Sequence, residues 1–220
     1  MRFAGFEPGR PPQSWLTGAL VGRRPQEVLP RVFPACVRIL HPARFPNEHG
    51  ADVALSWSYV EDVVGVPSIH ASAVPSLASA LEETPRAQVE PPQIGTLPPE
   101  QAWHLVDALE PELVDPRDCW FGVWEGFGCV RDLRGRAADR LELRGGDYLT
   151  LHAPLYFAAR PLCERPQQGV NLWWGPDATW CVHTDVELDS TLVAGSRALV
   201  QRVLEEPALE TVVVAGQGHA

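Results

Sequence analysis

The sequence predicts an α+β protein: a mixed or mainly antiparallel sheet with helices packed on it. Three stretches point there. Residues 180–188 alternate, with Trp180, Val182, Thr184, Val186 and Leu188 on one face and Cys181, His183, Asp185 and Glu187 on the other. That period of two marks a strand with one core-facing side. Residues 119–127, CWFGVWEGF, set Trp120 and Trp124 on one face and Phe121, Val123 and Phe127 on the other, as in a strand covered on both sides. Gly145-Gly146-Asp147, between residues 140–144 and 148–152, is hairpin chemistry.

In chain order, residues 1–13 read as a loose arm, and Ser14 caps a short helix over 15–21 that Gly22 and Pro25 stop. Residues 32–40 form a strand with Phe33, Ala35, Val37 and Ile39 on one face, and Pro34, lacking an N–H, puts its beginning at a sheet edge. Residues 41–50 are loop, 53–64 fit helix or strand equally, and 74–81 form a short helix. Residues 82–99, EETPRAQVEPPQIGTLPP, are polar and proline-rich and cannot bury much. They either separate an N-terminal lobe (14–81) from a C-terminal lobe (100–215) or cross the surface of one domain spanning 1–220.

Thr96 then caps a helix over 98–109 with Ala102, Trp103, Val106 and Leu109 on one face, and Pro111 ends it. Proline suits a first helical turn, where its missing N–H costs nothing. Residues 170–174 are a short strand, and Gly175-Pro176-Asp177 is a turn. After the 180–188 strand, Asp189, Ser190 or Thr191 caps a helix in which Leu192, Val193, Leu199, Val200, Val203 and Leu204 share a side. Gly195 lies within that pattern, so the helix can start as late as Ser196; Pro207 stops it, and 210–215 is a short β-branched strand. Strand, helix and strand in succession suggest a crossover unit.

Composition narrows the function classes. The formal net charge is −10, and all 18 basic residues are Arg. Without Lys there is no Schiff-base lysine, no phosphate-loop lysine and no kinase-type lysine. A nucleic-acid binder needs basic surface to displace counterions from phosphate. Here Arg131, Arg134, Arg136, Arg140 and Arg144 are interrupted by Asp132, Asp139 and Glu142. That segment reads as a solvated mixed-charge loop, so neither nucleic acid nor an anionic membrane is an expected partner. No apolar run reaches the length of a membrane span, and MRFAGFEPGRPPQ lacks the apolar segment of a secretory signal. The expected compartment is the cytoplasm. Cys36, Cys119, Cys129, Cys163 and Cys181 show no zinc-ligand spacing and read as free, mostly buried thiols.

Two residue sets are candidate sites. On the polar face of 180–188, residues two apart stand roughly 6.5–7 Å apart. Asp185, Glu187 and Asp189 can hold a hard divalent cation, or two of them can act as acid and base, while His183 with Cys181 suits a softer metal; His183, Asp185 and Glu187 are the candidate metal set. The plainer reading is a solvent-facing strand side, for which alternating polar residues are required anyway, and no cofactor is predicted. The second set is aromatic: Trp124 and Trp173 can line a ring-binding pocket, against the alternative that the eight Trp fill the core. Trp173-Trp174 must point to opposite sides of a strand. Catalytic motifs are absent. Gly195-Ser196 lies in AGSRA, not in a Gly-x-Ser-x-Gly elbow, and neither HExxH nor GxGxxG occurs.

The segments DPRDCWFGVWEGFG, GGDYLTLHAPL, WWGPDATWCVHTDVELDSTLVAGS and VQRVLEEPALETV resemble a family of uncharacterised proteins common in GC-rich actinobacteria. The resemblance covers the C-terminal half closely and the N-terminal part loosely, and it implies no activity, cofactor or site residue. LPPE before a helix, followed by a Trp/Gly-rich strand, is similar to the Smi1/Knr4 type of immunity and regulatory proteins. The leading expectation is a non-enzymatic binding or regulatory protein, of immunity type, with a protein partner. The rival is a metal-assisted hydrolase using the acidic face 183–189. A third reading is a small-molecule sensor with a Trp-lined pocket.

Overall fold

A computed structural model describes residues 29, 31–45, 53–64, 89–128, 130, 140–143, 146–164 and 167–214. The arm at 1–13, the helices expected at 15–21 and 74–81, Cys129 and most of the mixed-charge loop lie outside the described residues. In chain order the strands are β1 (Ala35–Leu40), β2 (Ala43–Phe45), β3 (Val53–Leu55), β4 (Cys119–Trp124), β5 (Arg140–Leu143), β6 (Gly146–Ala153), β7 (Cys163–Glu164), β8 (Gln167–Gln168), β9 (Leu172–Trp174), β10 (Cys181–Thr184), β11 (Ser190–Gly195) and β12 (Thr211–Val213). The helices are α1 (Trp57–Val64), α2 (Pro99–Leu109) and α3 (Arg197–Glu205). Among the described residues, no helix is long and apolar enough to cross a membrane.

The fold is α+β. Eight strands form one sheet in the order β12-β1-β11-β10-β9-β4-β6-β5, and every neighbouring pair in it is antiparallel. β2 and β3 form a separate pair, as do β7 and β8. β1 is antiparallel to both β11 and β12, so those two run parallel, joined through α3 with β1 between them. The expected crossover unit is present, but β11 supplies its first strand.

Successive side chains of each strand go to opposite faces. On one face Val37, Phe121, Val123, Leu151, Trp173, Val182 and Val193 meet Leu105 and Leu109 of α2, Leu199 and Val203 of α3, and Leu155 and Phe157 of a short 3-10 turn. On the other face Cys36, Trp120, Tyr148, Leu172, Trp174, Cys181 and Leu192 pack with Leu29 and Phe33. The two-sided reading of 119–127 therefore describes β4, whose neighbours are β9 and β6. Trp173 and Trp174 do take opposite faces, and both are buried.

The hairpin stands as read: β5 pairs with β6, Leu143 facing Gly146, and Gly146 has φ +126°. Gly175-Pro176-Asp177 turns the chain, with the Ala178 N–H donating to the Gly175 carbonyl at 3.1 Å.

Several expectations are corrected. The helix expected from 189 begins at Arg197, and Ser190–Gly195 is a strand; Ser196 caps α3, its hydroxyl accepting the Leu199 N–H at 3.1 Å. Over six residues an apolar β-branched run satisfies helical and strand spacing alike, and pairing with β1 and β10 decides it. Pro34 lies just before β1, which is an inner strand, not an edge. Residues 43–45, read as loop, are β2, while 53–64 divides into β3 and then α1. Thr96 does not cap α2: its hydroxyl accepts the Gly169 N–H at 2.8 Å, and Pro98 is the N-cap. Trp103 is 45% exposed, whereas Gln101 and Leu105 lie on the buried side of α2.

Residues 89–98 are held against the sheet. Arg44 and Glu90 exchange backbone hydrogen bonds of 3.0 and 2.7 Å, and the Gly95 N–H donates to the Leu188 carbonyl at 2.8 Å. β1, before this stretch, and β11 and β12, after it, are neighbours in one sheet. Cys36, Cys119 and Cys181 are free and buried, but Cys163 is disulfide-bonded, which departs from the reading of free thiols throughout. Folding pairs cysteines that sequence spacing does not.

Candidate functional site

The 181–189 segment does not present one outward polar face. β10 lies inside the sheet, between β9 and β11, so Cys181 and His183 are buried against Trp174 and Leu192. Asp185 and Glu187 fall in the turn after the strand, where an Asp185 carboxylate oxygen accepts the Glu187 N–H at 2.9 Å. Asp189 is buried, 3.8 Å from the Arg38 guanidinium. The structure thus separates His183, Asp185 and Glu187 between the sheet interior and an open turn. No group of three or more His, Cys, Asp or Glu able to hold a metal occurs among the described residues. Burial drives the His183 pKa down to about 4, the Asp185 charge acting in the opposite direction. His183 Nε2 has no hydrogen-bond partner among the described residues.

Trp124 and Trp173 are set apart as well. Phe121 pairs with Trp173 across β4 and β9, and their rings meet edge-on at 6.5 Å in the core. Trp124, three residues on from Phe121, emerges on the other face and packs edge-on against Phe127 at 5.4 Å. Its ring crosses Gly126 and Gly146, where any Cβ would collide with it.

A buried polar chain closes one end of the sheet. His41 Nδ1 lies 2.8 Å from the Gln93 carbonyl and Nε2 lies 2.9 Å from the Thr191 hydroxyl, which is 2.7 Å from that of Thr184. Asn171 Nδ2 donates to the Gly95 carbonyl at 2.9 Å, and its Oδ1 accepts the Trp124 N–H at 2.9 Å. Burial lowers the His41 pKa to about 4. Every hydrogen-bonding group in this chain finds an internal partner, so its role is to hold the loop at 93–96 onto β10 and β11.

A cleft of about 250 Å³ lies between the end of β1, residues 54–56 ahead of α1, the first turns of α2 and the segment after α3. Leu40, Pro42, Leu55, Pro98 and Ala208 form its apolar wall. Glu100, Gln101, His104 and Glu210 supply its polar groups, and neither Arg nor Lys lines it. Gln101 is 8% exposed. Its Nε2 donates to the Leu40 carbonyl at 3.0 Å, which orients the amide, and its Oε1 has no hydrogen-bond partner among the described residues. A buried amide oxygen left unpaired costs about 1–3 kcal/mol. His104 Nδ1 lies 3.5 Å from Glu206. The Glu210 carboxylate accepts the Ser58 N–H at 2.7 Å as well as the Trp57 N–H, so its charge sits at the positive end of α1.

Sequence reading passed over this cleft because four separated segments build it. One signal was present: Gln101 interrupts the apolar stripe of α2, four residues before Leu105. No family model, no curated protein and no solved structure matches the chain.

Proposed function

We propose that the protein is a non-enzymatic binding or regulatory module, of the immunity type, that takes a protein partner at the cleft walled by α2 and the end of β3. The observation that carries this reading is the cleft itself, an apolar wall edged by the exposed Glu100 with neither Arg nor Lys in its lining. The chemistry of the other groups supports binding over turnover. Burial pushes the Cys36 and Cys119 thiols up to about 12, the reverse of an activated nucleophile. His41 and His183 are buried and held neutral, out of reach of a substrate.

A cytoplasmic setting belongs to the same reading. The free thiols of Cys36, Cys119 and Cys181 favour it, and the Cys163 disulfide is the feature that opposes it. The test is affinity capture with the native chain and with Glu100→Arg, which reverses a charge at the cleft on an exposed side chain. A partner retained by the native chain and lost by the variant, at equal thermal stability, is the expected result. Equal recovery by both places the partner elsewhere and ends the proposal.

A further inference from the structure

We infer that the outer face of α2 is the rest of the partner's contact surface, and that the partner meets it with a basic, arginine-bearing face of its own; this rests on the binding reading above. Four exposed residues of α2 and its C-cap, Glu100, Trp103, Asp107 and Glu110, are spaced three, four and three apart. Those intervals set them in one stripe along the helix, about 15 Å long at about 1.5 Å per residue. Glu100 also stands at the cleft, so cleft and stripe form one continuous surface. No ion pair or side-chain hydrogen bond reaches the three carboxylates from any described residue. The ion pairs beside them are made by Glu112, with Arg202 at 2.8 Å, and by His104, with Glu206 at 3.5 Å.

One exposed apolar side chain needs no explanation, and acids are expected on a chain of net charge −10. Their placement together is what points to a partner. Trp103 is 45% exposed, an indole left in water between Glu100 and Asp107. Asp107 lies in the last turn of α2 and Glu110 is its C-cap, with no basic residue in that turn. A helix C-terminus carries about half a negative charge, which repels both carboxylates, and at a spacing of three they repel each other. Each of these features lowers the stability of the free protein, and a cationic partner reverses each. An Arg guanidinium stacks on an indole face and forks onto a carboxylate. A central Trp is also the residue type in which binding energy concentrates. Nucleic acid and anionic membrane bring phosphate, which the same carboxylates repel. A second copy would set one acidic stripe against another.

The experiment titrates the full chain by calorimetry with an alanine-based helical peptide carrying Arg and Leu on one face. The same peptide with Glu in place of Arg is the charge control, and spermine is the small-cation arm. The Arg peptide should bind, less tightly as salt is raised, and the Glu peptide should not. Trp103→Ala should weaken binding about tenfold, the loss of an interface anchor, and Asp107→Asn with Glu110→Gln about fivefold, the loss of exposed charge pairs. All three side chains are exposed, so the variants keep the core intact. The double variant should also melt roughly 1–3 °C above the native chain, because it relieves the helix terminus; carboxylates that serve the fold would give a lower melting temperature. No binding of the Arg peptide, equal binding of the Glu peptide, an affinity unchanged in Trp103→Ala, or a lowered melting temperature in the double variant overturns the inference. Spermine bound as tightly as the Arg peptide would mean counterion uptake only and overturns it too. Self-association that Trp103→Ala abolishes makes the occupant a second copy and overturns the assignment to a basic partner. A partner lost by Glu100→Arg, yet retained equally by the native chain, Trp103→Ala and the double variant, would sink this inference and leave the cleft reading standing.

Discussion

Glu210 and Trp57 are 153 residues apart in sequence, yet the Glu210 carboxylate accepts the Trp57 N–H at 2.5 Å. The same carboxylate takes the Ser58 N–H and hydroxyl, while the Ser56 hydroxyl accepts the Tyr59 N–H at 3.3 Å. The free N–H groups of the first turn of α1 are thus met from within the helix's own entry and from the segment leading into β12. Glu210→Ala should lower stability by about 1–2 kcal/mol, the loss of a cap that also carries charge at the helix N-terminus. Denaturant unfolding of the variant measures it; an unchanged midpoint would mean that α1 holds without this bond.

Stability should fall on mild acidification. His41 and His183 are buried and both have pKa values lowered from 6.5 to about 4. Between those values the unfolded chain binds the protons and the folded chain does not. The contribution of each His is therefore complete above about pH 6.5 and is lost as pH drops toward 4, with a slope of about 1.4 kcal/mol per pH unit for each group. Unfolding free energies at pH 7, 6 and 5 should decline with increasing steepness. A flat profile down to pH 5 would show both imidazoles charging freely in the folded state.

Two turn positions should respond in opposite directions. Gly146 has φ +126°, and a Cβ there would lie 2.6 Å from Trp124 Nε1. Gly146→Ala should cost about 1–3 kcal/mol through strain and displacement of the indole. Ala178 has φ +57° without being glycine. A left-handed residue with a Cβ costs about 1–2 kcal/mol, of which the greater unfolded-state freedom of glycine cancels about 0.5–1. Ala178→Gly should therefore raise stability by about 0.5 kcal/mol. Thermal melts of the two variants shifting the same way would refute the backbone account of at least one.

Where local chemistry suffices, the chain is readable. Gly145-Gly146-Asp147 forces a reversal, and aromatic residues on both sides of 119–124 can only belong to a covered strand. Both features appear as β5–β6 and β4. The errors fall where tertiary pairing overrides local pattern. The alternation of 180–188 is real, but only four of its residues are strand, because the Asp185 turn reverses the chain toward β11. The same pattern leaves open which sides are wet, and insertion of β10 between β9 and β11 buries Cys181 and His183. Glu100 and Glu210 approach one cleft only because α2 and the segment after α3 converge there. No periodicity encodes that meeting.

The place of β1 in the sheet bears on how the chain is born. Residues 35–40 leave the ribosome well before their two lateral neighbours, 190–195 and 211–213. Until those are made, an apolar strand waits with both edges open, a template for pairing with other nascent chains. Closure must bridge some 150 residues, the kind of distant contact that slows folding. A chaperone that shields residues 35–40 until 190–213 are made would therefore raise the yield of native protein more than one acting after release.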